Sequence, residues 1–130
     1  MYSHITLGVN DFERALSFYS AILAPLNLTL RFCERDIPWA GWCQHAKPFP
    51  EFIITAPFNG QPASAGNGQM TAFLAPTRTV VDEVYRLALS FGGKSEGEPG
   101  LRPQYHPDYY GAYFRDPDGN KLHICCRQAE

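Results

Sequence analysis

The sequence predicts an α+β fold of two βαβββ modules in a single domain, and three observations point there. A strand pattern followed by an amphipathic helix opens the chain, and the same pair recurs past its midpoint. A turn-rich stretch with little to bury, residues 58–68, separates the two occurrences. The chain closes on Tyr109 to Cys125, where aromatic and β-branched runs flank Asp116-Pro117-Asp118-Gly119-Asn120, the composition of a β-hairpin turn.

The first module takes residues 1–57. From Ser3 to Val9, Ile5, Leu7 and Val9 alternate with His4, Thr6 and Gly8, as in a half-buried strand. Asn10-Asp11 offers capping oxygens, and Glu13 stands three residues after Asn10 as in a capping box. Phe12, Ala15, Leu16, Tyr19, Ile22 and Leu23 then recur at helical spacing until Pro25. Leu28, Leu30 and Phe32 alternate in a second strand over Asn27 to Cys33. Pro38 to Cys43 is a turn or a third strand, and Glu51 to Thr55 a fourth, stopped by Pro57.

A linker over 58–68, expected to be mobile, leads to the second module at 69–127. Gln69 to Ala75 is a strand, and Val80, Val81, Val84, Leu87, Ala88 and Phe91 mark a helix closed by Gly92-Gly93. Gly97 to Pro107 is expected to be a Gly/Pro-rich loop. In the hairpin beyond it, Leu122, Ile124 and Cys126 share one face, so His123 projects from the other with Lys121 and Cys125. A shift of 66 residues lays His4-Ile5-Thr6-Leu7 on Met70-Thr71-Ala72-Phe73, and one of 70 lays Pro50 to Ile54 on Asn120 to Ile124.

Composition narrows the function. With 130 residues and a net charge of −2, the chain has the size of one domain and no Lys/Arg cluster to hold nucleic acid or an anionic membrane. Its longest apolar run, Phe52 to Phe58, is too short to span a bilayer. A strand pattern starts near His4 with no leader-like stretch before it, and Cys33, Cys43, Cys125 and Cys126 lack C-x-x-C spacing, so a cytoplasmic protein with reduced thiols is expected. Nucleotide-binding loops, the G-x-S-x-G elbow and the H-E-x-x-H zinc motif are all missing.

The doubled module, the opening His4-Ile5-Thr6-Leu7-Gly8-Val9-Asn10-Asp11 with Phe18-Tyr19, and the closing Asp116-Pro117-Asp118-Gly119-Asn120-Lys121 resemble the glyoxalase/bleomycin resistance/dioxygenase superfamily, the vicinal oxygen chelate fold. The stretch Gly100 to Tyr110 is similar to small bacterial members described as glyoxalase-like. The resemblance implies a curled mixed sheet with a concave site, a homodimer, and a divalent ion (Zn, Ni, Mn or Fe) held from the first and last strand of each module. Under the two shifts those positions are His4, Ile53, Met70 and His123. Similar members carry His where Met70 stands and Glu where His123 stands, so His4 and His123 are left as the metal candidates, while Met70 and Ile53 become pocket wall.

Around them, Arg102 offers a clamp for a carboxylate or phosphate, and Trp39 and Trp42 offer apolar walls. Tyr105, Tyr109 and Glu51 are the proton-transfer candidates. Each has a plainer alternative: remnant histidines bonded to tyrosine or backbone, a proline-stiffened surface loop, tryptophans in the core or at a subunit interface. Asp116 and Asp118 are assigned to turn bonding rather than catalysis. The resemblance therefore implies a lyase, isomerase or dioxygenase acting on a small oxygenated molecule. The alternative is a metal-free protein that binds a drug or aromatic compound.

Overall fold

A computed structural model describing residues 1–130 shows two βαβββ modules. Strand β1 (His4–Gly8) leads into helix α1 (Phe12–Leu23), a 3-10 turn over Ala24–Leu26, and strands β2 (Leu28–Glu34), β3 (Trp39–Gln44) and β4 (Lys47–Thr55). The second half repeats the order as β5 (Thr71–Leu74), α2 (Arg78–Ser90), β6 (Lys94–Leu101), β7 (Tyr110–Arg115) and β8 (Lys121–Cys126). The strands form two four-stranded sheets, β1-β4-β3-β2 and β5-β8-β7-β6. In each, the first strand lies parallel to the last and the remaining neighbours run antiparallel. Thr6 pairs with Ile53 and Ala72 with His123, which are the same two positions under the shifts of 66 and 70 residues.

Helix α1 starts on Asp11, whose side chain accepts from the Arg14 amide. The capping box expected on Asn10 does not form. Asn10 instead bonds Ala63 with its amide oxygen (2.7 Å) and nitrogen (3.1 Å), which ties the middle of the linker to the head of α1, and Glu13 pairs with Arg35. The inner face of α1 buries Ala15, Phe18, Tyr19, Ile22 and Leu23, and that of α2 buries Val81, Val84 and Ala88. These residues join Trp42, Phe52 and Ile54 of the first sheet to Phe114, Leu122 and Ile124 of the second in one apolar cluster. Phe18 meets Phe114 edge-on at 6.4 Å and Phe52 meets Phe73 at 5.2 Å, so rings as well as helices bridge the halves.

The turn Asp116 to Asn120 is a second bridge. Asp116 is buried, and its Oδ1 accepts from the amides of Asp118 and Asn120, both at 2.9 Å. Its Oδ2 accepts from the Asn120 amide group at 2.9 Å and from the Tyr19 hydroxyl at 2.5 Å. Asn120 also donates to the Gly8 carbonyl, and Asp118 accepts from the Asn10 amide and from Arg14. Gly119 takes φ +89°, which side chains disfavour. The Asx bonding expected of these aspartates is present, and the same side chains lock the second module onto the first.

One expected loop is partly a strand. β6 runs through Lys94–Leu101 despite Gly97, Pro99 and Gly100, and its register against β7 slips on either side of Gly97. An edge strand bonds one neighbour only, so Gly and Pro disrupt it less than an inner strand. β4 likewise begins at Lys47, before the expected Glu51, because Lys47 pairs with Gln44 of β3, while pairing with β1 starts only at His4 to Glu51, beyond Pro48 and Pro50. No helix is long and apolar enough to cross a membrane.

Candidate functional site

The helices cover one face of each sheet, and the candidates divide, Trp42 lying in the core on that face and His123 on the other. On β8 the alternation that sends Leu122 and Ile124 into the core turns His123 to the uncovered side, where it is nonetheless 1% exposed. Tyr109 and Tyr113 make that burial. Tyr113 pairs with His123 across the hairpin and stacks on the imidazole at 4.0 Å and 14°, while the Tyr109 ring lies parallel to it at 5.8 Å. Gly111 leaves the space, since a Cβ there would stand 2.6 Å from His123 Cε1.

The imidazole's hydrogen bonds fix its tautomer. Nδ1 lies 2.8 Å from the Ala112 carbonyl, which only accepts, so Nδ1 carries the hydrogen. Nε2 is then the acceptor for the Tyr109 hydroxyl at 2.8 Å. Burial holds the imidazole below its ordinary value of 6.5; the Ala112 carbonyl opposes this, and the positive charges of Arg102 and Lys121 reinforce it. Burial and contact with Cys125 raise the Tyr109 hydroxyl, so a neutral tyrosine faces a neutral imidazole at pH 7.

Because the folded pKa of His123 is depressed, its contribution to stability is present above 6.5 and is lost as pH falls through the folded value. Urea unfolding at pH 7.5 and 5.5 is expected to show a total loss of up to about 1.4 kcal/mol, most of it below pH 6.5 and reduced in His123→Gln. Equal pH slopes in both proteins would show that His123 is not the titrating group.

The remaining candidates are dispersed. His4 is exposed and its Nδ1 meets the Ser3 hydroxyl at 3.0 Å. With Thr6, Trp39, Ile53 and Phe58 it lines a cavity of about 380 Å³ to which only the first half of the chain contributes. Trp39 stacks edge-on against Phe32 and donates to Glu34, whereas Trp42, three residues along the strand, turns into the core beside Tyr19 and Phe52. Met70 is 46% exposed and lines a cavity of about 210 Å³ with Thr6 and Lys121. Glu51 sits 3.3 Å from Arg31. Tyr105 is exposed and packs on Tyr109 at 5.0 Å, and Arg102 lies over the Tyr113 ring at 5.6 Å.

Thus the structure unites Tyr105, Tyr109, Arg102 and His123, and sets His4, Trp39 and Ile53 together elsewhere. Tyr113 and Lys121 join the first group without having been singled out from the sequence. The donor set does not fit a divalent centre: Ile53 offers no donor, Met70 only a thioether, and His4 lines a cavity of first-half residues to which His123 does not contribute. No three His, Cys, Asp or Glu side chains converge to hold an ion.

Comparison with known proteins agrees with this architecture. The model of the Glyoxalase/Bleomycin resistance protein/Dioxygenase superfamily matches residues 2–124. A glyoxalase/bleomycin resistance protein from Albidiferax ferrireducens T118 is 36% identical, with TM-score 0.87 over 98% of this chain and 99% of that one. A glyoxalase-related enzyme from Fulvimarina pelagi shares 19% identity and TM-score 0.74 over 97% and 87% of the two chains. The fosfomycin resistance protein FosX from Mesorhizobium loti shares 16% identity and TM-score 0.69 over 98% and 92%. Among curated proteins, none matches.

Proposed function

The chain belongs to the glyoxalase/bleomycin resistance protein/dioxygenase superfamily, and on that footing we propose that it binds a small oxygenated molecule at Tyr109 and His123 and moves a proton on it, as a lyase or isomerase does. The observation that carries this is the 2.8 Å bond between the Tyr109 hydroxyl and Nε2 of a buried, neutral imidazole. A substrate that displaces the hydroxyl meets a nitrogen free to take a proton from carbon. The displaced hydroxyl can then donate to the oxygen on which negative charge develops, and the proton returns from Nε2 to a neighbouring carbon or the leaving group. Members of the superfamily commonly use a divalent ion for such charge, but the donors at His4 and His123 do not support one here, and no step depends on it.

In this reading His123 moves the proton and Tyr109 donates to the developing oxyanion, with Tyr105 packed behind Tyr109. Glu51 is held by Arg31 on the other sheet. A homodimer fits the pattern of open edges: β1 and β5 each end a sheet, and Met70 and Leu74 flank the second of them exposed. Four free thiols suit a reducing, cytoplasmic setting.

Hydrogen–deuterium exchange at carbons next to a carbonyl tests the reading. Small α-hydroxyketones and 2-oxo acids incubated in D2O with the protein, its mass checked by light scattering, are expected to exchange at a rate that falls about 100-fold or more in Tyr109→Phe and His123→Gln. Binding without exchange would favour the second reading, a metal-free binder. The cavity walled by Ile37, Trp39, Ile53 and Phe58 supports that alternative, because it offers an apolar or aromatic compound much surface and few reactive groups. Neither binding nor exchange would overturn both.

A further inference from the structure

Building on the reading that Tyr109 and His123 centre a small-molecule site, we propose that this site selects an oxyanion, a substrate bearing a carboxylate, phosphate or phosphonate group, through Arg102, Lys121 and Arg127. Apart from Arg86, which stands exposed on α2, the arginines divide into two kinds. Arg14, Arg31, Arg35, Arg78 and Arg115 each lie within 4.0 Å of a carboxylate, which accounts for their charge locally. Arg102 and Arg127 have no such partner, and neither does Lys121. All three instead stand over the two tyrosines that enclose His123. Arg102 and Lys121 lie 5.6 and 5.5 Å from the Tyr113 ring centre, and Arg127 lies 5.3 Å from that of Tyr109.

The nearby acids do not offset them. Asp108 is turned to Arg78, Glu96 to Arg115, and Asp82 accepts from Tyr110. Glu98 meets Arg102 through its backbone carbonyl, at 2.7 Å, rather than its carboxylate. His123 is uncharged, so three positive charges remain on a half-buried aromatic floor. Cation–π contact alone is a small return for gathering them, on the order of 0.5–1 kcal/mol each at exposed sites. An anion seated beside the Tyr113 ring would meet Arg102 and Lys121 together, with Arg127 adding positive charge from beside Tyr109.

Arg102 is also placed for the task. Its guanidinium lies back along β6 where Cβ atoms on Gly97 and Gly100 would come within 3.4 and 3.1 Å of it, so those glycines form a trough for the side chain. Bonds to the carbonyls of Glu98 and Leu101 hold it there. A guanidinium fixed in this way loses little freedom when it meets a planar or tetrahedral oxyanion. The glycines that make β6 a poor strand thus have a use.

The test is titration of the full-length protein with inorganic phosphate, methylphosphonate, acetate and, as the uncharged probe, ethylene glycol, followed by NMR at the His123 and tyrosine rings. At least one anion is expected to bind, more weakly as salt is raised, while ethylene glycol binds at least tenfold less tightly. Arg102→Gln and Lys121→Gln should each weaken the anion about tenfold, whereas Arg86→Gln, the same charge change on an exposed arginine of α2, should not. Acetate alone binding would mark a carboxylate substrate; phosphate or methylphosphonate alone would mark the tetrahedral anions. Anion binding that all three variants weaken equally, or that none weakens, would overturn the proposal. If no anion binds but a neutral ketone still exchanges deuterium through His123, the oxyanion inference falls and the proton-transfer reading stands. If a variant proves unfolded by circular dichroism, salt dependence and the ethylene glycol comparison on the unaltered protein still decide the matter.

Discussion

Asp116→Ala is expected to destabilise the protein by about 3–5 kcal/mol, the largest effect of any single truncation outside the apolar core. The carboxylate accepts four bonds, two from its own turn, one from Asn120 and one from Tyr19. Alanine would leave the Tyr19 hydroxyl without a partner inside a side chain that is fully buried. Asp116→Asn should cost less, about half, since its oxygen can still serve the turn amides, although its nitrogen cannot accept from the Asn120 donor as Oδ2 does. Urea denaturation measures both. A loss under about 1 kcal/mol for the alanine variant would mean that water replaces the carboxylate and that the turn is not a lock.

Gly111→Ala is expected to cost about 2–3 kcal/mol and to remove ligand response at the same time. The added methyl would stand 2.6 Å from His123 Cε1 and 3.1 Å from the Ile124 carbonyl, neither of which is the loose end of a flexible chain. The imidazole must tilt away, breaking its contact with Tyr109, its bond to Ala112 and its stack on Tyr113 together. Near-native stability together with unchanged His123 and Tyr109 resonances in this variant would show that the strand yields instead. Double substitution with His123→Gln separates the two effects, because a side chain that can bend should recover stability without recovering proton transfer.

Much of the architecture was legible because it rests on local patterns. Alternation, helical spacing and the Asp-Pro-Asp-Gly-Asn turn place β1, both helices and the final hairpin, and the two shifts make the pair Thr6–Ile53 equivalent to Ala72–His123, though the pairing itself comes from the structure. β6 escaped notice because an edge strand tolerates Gly97, Pro99 and Gly100, residues of low strand propensity. Part of the site was readable and went unread. Counting outward from the turn pairs Arg115 with Lys121 and hence Tyr113 with His123, and the spacing of Trp39 and Trp42 already places them on opposite faces. The contact between Tyr19 and Asp116 was not, since it links residues 97 apart through packing that no local rule encodes.

The lock at Asp116 to Asn120 also sets a timetable for synthesis. Its bonds to Asn10 and Gly8 join residues 108 and 112 positions apart, so the head of α1 waits until Asp118 and Asn120 have left the ribosome. At about 5–20 residues per second that delay lasts several seconds, during which the inner face of α1 lacks the second half of its core. Contacts of such long sequence separation also slow the final closure. Nascent chains of this protein are therefore most exposed to misassembly just before their last strand pair emerges, and a ribosome-stalled fragment ending before Asp116 should bind a hydrophobic dye that the released protein does not.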